Sequence, residues 1–465
     1  MKNTILTLSL LLTSLFSYSQ DIIGSWYGIA KMQGQELILV FNINKTNDIY
    51  SATMDSPDQG ARDIPVSSIS FKDSVLKIGL SNIRFEYEGK FNEDRHFTGN
   101  VKQGLQTVPM IFTREKIERL RPQEPKMPFP YYSEDLTFDN KSAGITLAGT
   151  LTLPKREGKF PAVVLISGSG PQNRDEEILG HKPFLVIADY LTKNGIAVLR
   201  FDDRGTAKSK GNHGKATSVD FASDVESAVN YLLTRDEIIK SKIGLIGHSE
   251  GGLIAPMVAV NSKDVSFIIL LAGTGIPGDE LLLLQQILIG RAMGASEVDL
   301  QKNNKFCEGA FQLITRSVDR DTLKKELKIY AKKVAMESPS EENTRPKGMT
   351  DEQLNNMKLN AYSTPWMQYF FKHNPALVLE KVKCPVLAIN GSKDLQVPPR
   401  ENLTAIKNAL TKGGNKQFTI QEIPNLNHLF QECKTGSLSE YNLIEQTFSP
   451  IALNIILDWI KIQTK

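Results

Sequence analysis

From Asp21 to about residue 115 the chain alternates apolar and polar positions in short runs, as at 36–43, 74–78 and 84–88, with Gly, Asn and Asp between them. Period-two alternation marks half-buried strands, and several at regular spacing predict an antiparallel barrel or sandwich. After about residue 131 the rhythm changes. Stretches 136–138 and 145–153 read as a leading hairpin, and 160–166, 196–201, 243–247, 265–271 and 385–390 are continuous apolar runs, the pattern of strands covered on both faces. Helical patterns over 182–193 and 218–235 separate the early runs, and 418–420 reads as a last strand. Strands that alternate with helices require crossover connections, hence a mostly parallel sheet with helices on both faces. Between about 277 and 375 the strand rhythm stops. Segments 281–293, 323–336 and 351–359 are helical in composition, and 364–371 is aromatic. This is a helical insertion placed to cap the sheet edge where ligands bind, its aromatics either lining a substrate pocket or packing the insertion itself.

The first twenty residues hold one lysine, an apolar run over 5–16 and small residues at Ser17 and Ser19. That pattern predicts a signal peptide cleaved near Ser19 or Gln20 and an exported, periplasmic or extracellular protein, the competing reading being a buried N-terminal strand. The run is short for a bilayer span, no later segment is longer, and no cysteine stands at the cleavage point, so neither stable membrane insertion nor a lipid anchor is expected. The all-β domain is then 21–115. Its opening, Gly24-Ser25-Trp26-Tyr27-Gly28, resembles the first strand of lipocalin-type barrels, and a packed accessory domain is preferred over a ligand cup. Residues 116–130, with Arg119, Arg121, Pro122, Pro125 and Pro128, read as a linker, and 131–465 is the second domain.

At 465 residues two domains are expected, and 40% apolar with 23% charged residues describes a soluble globular chain. A formal charge of +3, without basic and aromatic residues interleaved, argues against nucleic acid as a partner. Cys307, Cys384 and Cys433 leave at least one thiol free, with pairing of Cys384 and Cys433 open. The six histidines are scattered without metal-ligand spacing, so no metal and no cofactor is expected.

The chemistry gathers at Gly247-His248-Ser249-Glu250-Gly251, between an apolar strand and a helical run. A strand that reverses sharply into a helix needs glycines around the turn and presents the central serine, so Ser249 is the candidate nucleophile. A serine hydroxyl is inert until a base takes its proton. Asp394 follows the apolar run 385–390, and His428 follows strand 418–420. Both therefore fall at strand ends on one edge, in the order Ser, Asp, His, with His428 as base and Asp394 as the acid that orients it. Small residues 167–170 after strand 160–166 supply the second half of an oxyanion hole, whose donors are the backbone N–H groups of Ser169 and Glu250. His248 reads as packing or support. The charged turn 202–209 reads as local hydrogen bonding and ion pairing, and the Glu250 side chain as structurally paired or solvated in preference to a reader of substrate amines.

These residues resemble the α/β-hydrolase superfamily over about 131–465, and more closely secreted bacterial esterases and serine-peptidase-like hydrolases. The shared runs are Ser167 to Pro171, Asp202 to Ser209, Gly247 to Gly252, Gly391 to Asp394, and Asn427-His428. Two positions depart from the pattern: Ser167 where many relatives have His, and Ala207 where Gly is usual. The resemblance implies an α/β-hydrolase fold with a helical cap, preceded here by the small all-β domain, and an acyl-enzyme hydrolysis of carboxylic esters, with short acyl chains. A serine exopeptidase acting on short peptides is the alternative within the same chemistry, and a non-catalytic binding module the alternative outside it. Neither substrate identity nor oligomeric state is legible.

Overall fold

In the computed structural model the alternating N-terminal runs become strands, and residues 21–32, 35–59, 61–103, 106–337 and 350–465 are described. The expected signal peptide, 1–20, lies outside the described residues. Two compact units form, one within the chain up to Ile117 and the other holding Glu118–Lys465.

In the first unit, β1 (Gly24–Met32), β2 (Gln35–Thr46), β3 (Ile49–Ser56) and β4 (Ala61–Pro65) make one sheet in that order. The second is the antiparallel meander β5 (Ser68–Lys72), β6 (Val75–Leu80), β7 (Phe85–Phe91), β8 (Phe97–Gln103) and β9 (Gln106–Phe112). Strand β7 shows why it forms: Phe85, Tyr87 and Gly89 are buried while Glu86, Glu88 and Lys90 are exposed. The inward residues are large rings that meet edge to face, Trp26 with Phe97 at 4.6 Å, Tyr87 with Phe112 at 4.8 Å and Phe41 with Phe112 at 5.2 Å between centroids. Rings from both sheets thus occupy the interior, as a packed domain requires. Arg114 lies 3.9 Å over Trp26 and donates to the carbonyls of Asp21, Ile23 and Ser25, which closes the end of this core.

The second unit is built on one sheet. Its strands are β10 (Tyr132–Asn140), β11 (Ile145–Leu153), β12 (Phe160–Ile166), β13 (Ala197–Phe201), β14 (Ile238–His248), β15 (Phe267–Leu271), β16 (Val386–Gly391) and β17 (Phe418–Ile423). The spatial order is β10-β11-β13-β12-β14-β15-β16-β17, with β11 antiparallel to both neighbours and every pair from β13 to β17 parallel. In chain order the helices are α1 (Pro183–Lys193), α2 (Ser218–Thr234) and α3 (Glu250–Ala259); then α4 (Gly278–Ala292), α5 (Glu297–Arg316), α6 (Arg320–Glu337), α7 (Asp351–Ala361) and α8 (Pro365–Lys372); then α9 (Pro375–Leu379), α10 (Pro399–Lys412), α11 (Leu438–Tyr441) and α12 (Pro450–Gln463). Strand β12 shows how the layers assemble. Val164 and Ile166 face a core shared with α2, α3 and α10, whereas Val163 and Leu165 face one shared with α1 and α12. This is the α/β-hydrolase architecture, and its parallel strands aim their carboxyl ends at one edge.

Helices α4–α8 form the insertion between β15 and β16, around a core of their own. Residues 297–316, inside the expected helical insertion but not among the segments singled out within it, form its longest described helix, α5. Phe370 and Phe371 belong to the insertion's core, at 5% and 2% exposure.

Candidate active site

Strand β14 ends at His248 and α3 begins at Glu250, so Ser249 alone makes the turn. Its backbone stands at φ 54°, ψ −115°, a conformation that side-chain-bearing residues avoid and that persists only where surroundings over-determine it. Here they do. The Ser249 N–H donates to Leu271 O at 2.9 Å, and a Cβ on Gly247 or Gly251 would lie 2.0 Å from Gly251 O or 2.1 Å from Ile166 O. Only glycines fit on either side of the turn. The first N–H groups of a helix have no acceptor within it, so the Glu250 amide, at the start of α3 and directly after the serine, has none inside the helix.

The loop after β12 runs against this turn, where a Cβ on Gly168 would be 3.2 Å from that of Ser249. The Gly168 N–H is already used, donating to Glu176 Oε1 at 2.7 Å. Among the described residues the Ser169 N–H donates to nothing, which leaves it available. Ser167 Oγ donates to Asp203 Oδ1 at 2.7 Å, and the Gln172 N–H donates to Asp203 Oδ2 at 2.8 Å, so the residue standing in place of histidine ties the loop down. Burial pushes the Asp203 carboxyl up to about 8.

Asp394 follows β16. Its Oδ1 accepts the N–H groups of Gln396 and Val397 at 2.8 and 2.9 Å, and its Oδ2 meets His428 Nδ1 at 2.7 Å. A carboxylate on Nδ1 selects the tautomer that leaves Nε2 free to accept a proton. Asn427 stiffens the histidine loop through its side-chain oxygen, which accepts the N–H groups of Leu429 and Gln431 at 3.0 and 2.9 Å. Asp394 and His428 are thus joined directly. Ser249 reaches the same rim, but its hydroxyl makes no hydrogen bond to His428. What links the serine turn to the histidine loop is His248, whose Nε2 lies 3.0 Å from His428 O and whose ring centroid is 4.8 Å from that of His428.

His248 therefore supports the site. Its Nδ1 faces Glu176 Oε1 at 2.9 Å; burial works against its charge, but Glu176, the His428 carbonyl and the Asp394 charge together outweigh it and raise the pKa above the ordinary value. Glu250 is only 3% exposed, and its Oε1 accepts from Ser218 Oγ and Trp366 Nε1, each at 2.6 Å. Burial pushes this carboxyl up while both donors pull against it. The aromatic segment of the cap thus divides, Phe370 and Phe371 into core and Trp366 onto the residue after the serine. The charged turn after β13 is held locally: Asp202 takes Arg174 at 2.8 Å, and Arg204 takes Asp224 at 2.7 Å.

Residues 182–432, more than half of the chain, match the family described as serine aminopeptidase, S33 (Hydrolase_4). The chain belongs to this family. It is a serine hydrolase. Esterase EstD of Thermotoga maritima is 26% identical over 409 residues, 85% of this chain and 87% of that protein. An uncharacterized 31.7 kDa protein of Escherichia coli, from the traX-finO intergenic region, is 25% identical over 61% of this chain and 88% of its own length. Among solved structures, the α/β hydrolase GrgF from Penicillium sp. sh18 aligns at TM-score 0.44 and 16% identity, covering 71% of this chain and 99% of that one.

In this S33 hydrolase, sequence reasoning passed over Glu176 and Ser218, and marked Trp366 only as part of the aromatic segment of the cap. Glu176 lies in the run Arg174-Asp175-Glu176-Glu177, where nothing sets one acid apart. The nearest signal was its place shortly after the small-residue loop. All three cysteines are free thiols, so Cys384 and Cys433 do not pair. Among the described residues no helix is long and apolar enough to cross a membrane, and no group of three or more His, Cys, Asp or Glu is placed to hold a metal ion.

Proposed function

We propose that this S33 hydrolase is an exported esterase that cleaves carboxylic esters with short acyl chains through an acyl-enzyme on Ser249. The observation that carries the reading is the Asp394–His428 contact of 2.7 Å at the rim where Ser249 is held at φ 54°. His428 Nε2 takes the hydroxyl proton as Ser249 Oγ adds to the ester carbonyl, and Asp394 stabilises the imidazolium that results. The carbonyl oxygen becomes an anion, held by the N–H groups of Ser169 and Glu250, the latter at the positive end of α3. Collapse breaks the bond to the alcohol oxygen, which leaves with the proton from His428. Water then adds to the acyl-enzyme with His428 as base, and Ser249 recovers its proton as the acid departs.

Two features favour an ester over a peptide. Esterase EstD aligns along most of both chains. The Glu250 carboxylate, on the residue directly after the serine, is buried and committed to Ser218 and Trp366. Export is supported by the charge and apolar pattern of residues 1–20. The aminopeptidase alternative takes its support from the family's description.

Turnover of p-nitrophenyl acetate and butyrate, set against aminoacyl and dipeptidyl p-nitroanilides, tests the choice. The esters are expected to show the higher kcat/KM, and preference for the anilides overturns the reading. Labelling by a fluorophosphonate is expected in the wild type and absent in Ser249→Ala; a wild type that stays unlabelled would make the chain a binding module.

A further inference from the structure

The geometry points to Glu176 as a positioning residue for the hydrolysis: through His248 it fixes the loop after β12, the serine turn and the histidine loop in one arrangement. This rests on the reading of Ser249 and His428 given above. Glu176 Oε1 accepts the Gly168 N–H at 2.7 Å and faces His248 Nδ1 at 2.9 Å, and His248 Nε2 reaches His428 O at 3.0 Å. One carboxylate oxygen thus controls the loop that carries the Ser169 amide, the residue before the nucleophile and the main chain of the base. The His248 ring stands between a carboxylate and a carbonyl, and two acceptors require a proton on both ring nitrogens. The result is a buried ion pair, and the ring's orientation is fixed at both ends.

The surroundings argue that the pair is kept for geometry and not for stability. Glu176 is 1% exposed and His248 4% exposed, against a wall of Pro183, Phe184, Ile187, Leu271, Leu429 and Phe448. A buried ion pair on an apolar wall is commonly no more stable than an apolar pair of similar size. Glu176 also stands at φ 51°, and its Oε2 has no hydrogen-bond partner among the described residues. A strained backbone and an unsatisfied carboxylate oxygen are both unfavourable, and both occur where three loops of the site meet.

The test is Glu176→Leu and Glu176→Gln in the full chain. Activity on p-nitrophenyl acetate is measured per fluorophosphonate-labelled site, and thermal melting is followed alongside. Leucine suits the wall but links nothing, so kcat per labelled site is expected to fall about 100-fold, as for a reacting group displaced by about 1 Å, with KM within about twofold. Glutamine keeps an acceptor oxygen for Gly168 and is expected to recover at least tenfold of that loss. Unchanged kcat per labelled site in Glu176→Leu, a change in KM alone, or no recovery by glutamine would overturn the proposal. Should Glu176→Leu not fold, His248→Phe keeps the ring and removes both N–H groups, and the same fall in kcat is expected, with unchanged kcat overturning the proposal. The control is wild-type labelling: its absence removes the serine mechanism itself, whereas normal labelling with unaltered variants removes only the role of Glu176.

Discussion

Ser249 is held in a left-handed conformation that glycine adopts freely, so part of the energy spent on the site is stored in one backbone pair of angles. Replacing it separates strain from chemistry. Both Ser249→Ala and Ser249→Gly are expected to lose activity by roughly 10⁴–10⁶-fold. Only the glycine variant relaxes the turn, and it is expected to exceed the alanine variant by about 1 kcal/mol in stability, read as a higher melting temperature. Equal melting temperatures for the two would show that the turn carries no strain. Much of this site was legible because each candidate announces itself locally: Ser249 by the glycines that a sharp reversal demands, Asp394 and His428 by falling just past apolar runs. Glu176 was not legible. Its partners are Gly168, eight positions back, and His248, 72 positions on, and a buried acid in an acidic run looks like a solvated one until the fold closes around it.

At the level of elements, the strands of the sheet were readable because burial on both faces leaves no polar positions to confuse their pattern, as in Val163 to Ile166, which serve two cores alternately. Helix α5, inside the expected helical insertion, was not singled out there for the opposite reason. Its buried residues Phe306, Cys307, Ala310, Phe311 and Ile314 sit among lysines, asparagines and glutamates, and only packing against the other cap helices gives that face a purpose. The cap meets the residue after the nucleophile through Trp366 in α8, whose Nε1 donates to Glu250 at 2.6 Å. Trp366→Phe keeps the ring stacked on Phe370, 5.0 Å away, but removes that donor. The buried Glu250 carboxylate then retains Ser218 as its only partner of the two. Stability is expected to fall by about 1–3 kcal/mol, the usual effect of leaving a buried acceptor short of a donor. If Trp366 also borders the bound ester, as the proposed cap over the site implies, KM for p-nitrophenyl butyrate is expected to rise more than kcat falls. A melting temperature and KM equal to wild type would dissociate Trp366 from both roles.

For the molecule as a whole, charge is close to balanced at +3, so its pH response depends on particular buried groups more than on net repulsion. His181 is the clearest of these. It is fully buried, with Nε2 2.7 Å from Tyr441 O and Nδ1 3.1 Å from Thr447 Oγ1, and it therefore joins the segment before α1 to the chain around α11. Burial lowers its pKa from 6.5 to about 4, the Arg121 guanidinium adds to the effect, and the Tyr441 carbonyl opposes it. The sign follows from proton counting. Between pH 6.5 and 4 the unfolded chain holds a proton on this imidazole and the folded chain does not, so stability falls as pH falls through that window. A shift of this size corresponds to about 3 kcal/mol by the lower end of the range. Burial also lowers His213 and His373, which act in the same direction, so some acid sensitivity will outlast any change at His181. His181→Asn removes the titrating group while keeping polar atoms for Thr447 and Tyr441. Its unfolding free energy, measured in urea at pH 7 and at pH 4.5, is expected to decline less steeply than that of wild type by about 2–3 kcal/mol. Parallel declines for the two proteins would mean that His181 is protonated in the folded state at the lower pH, and that the loss of stability in acid arises elsewhere.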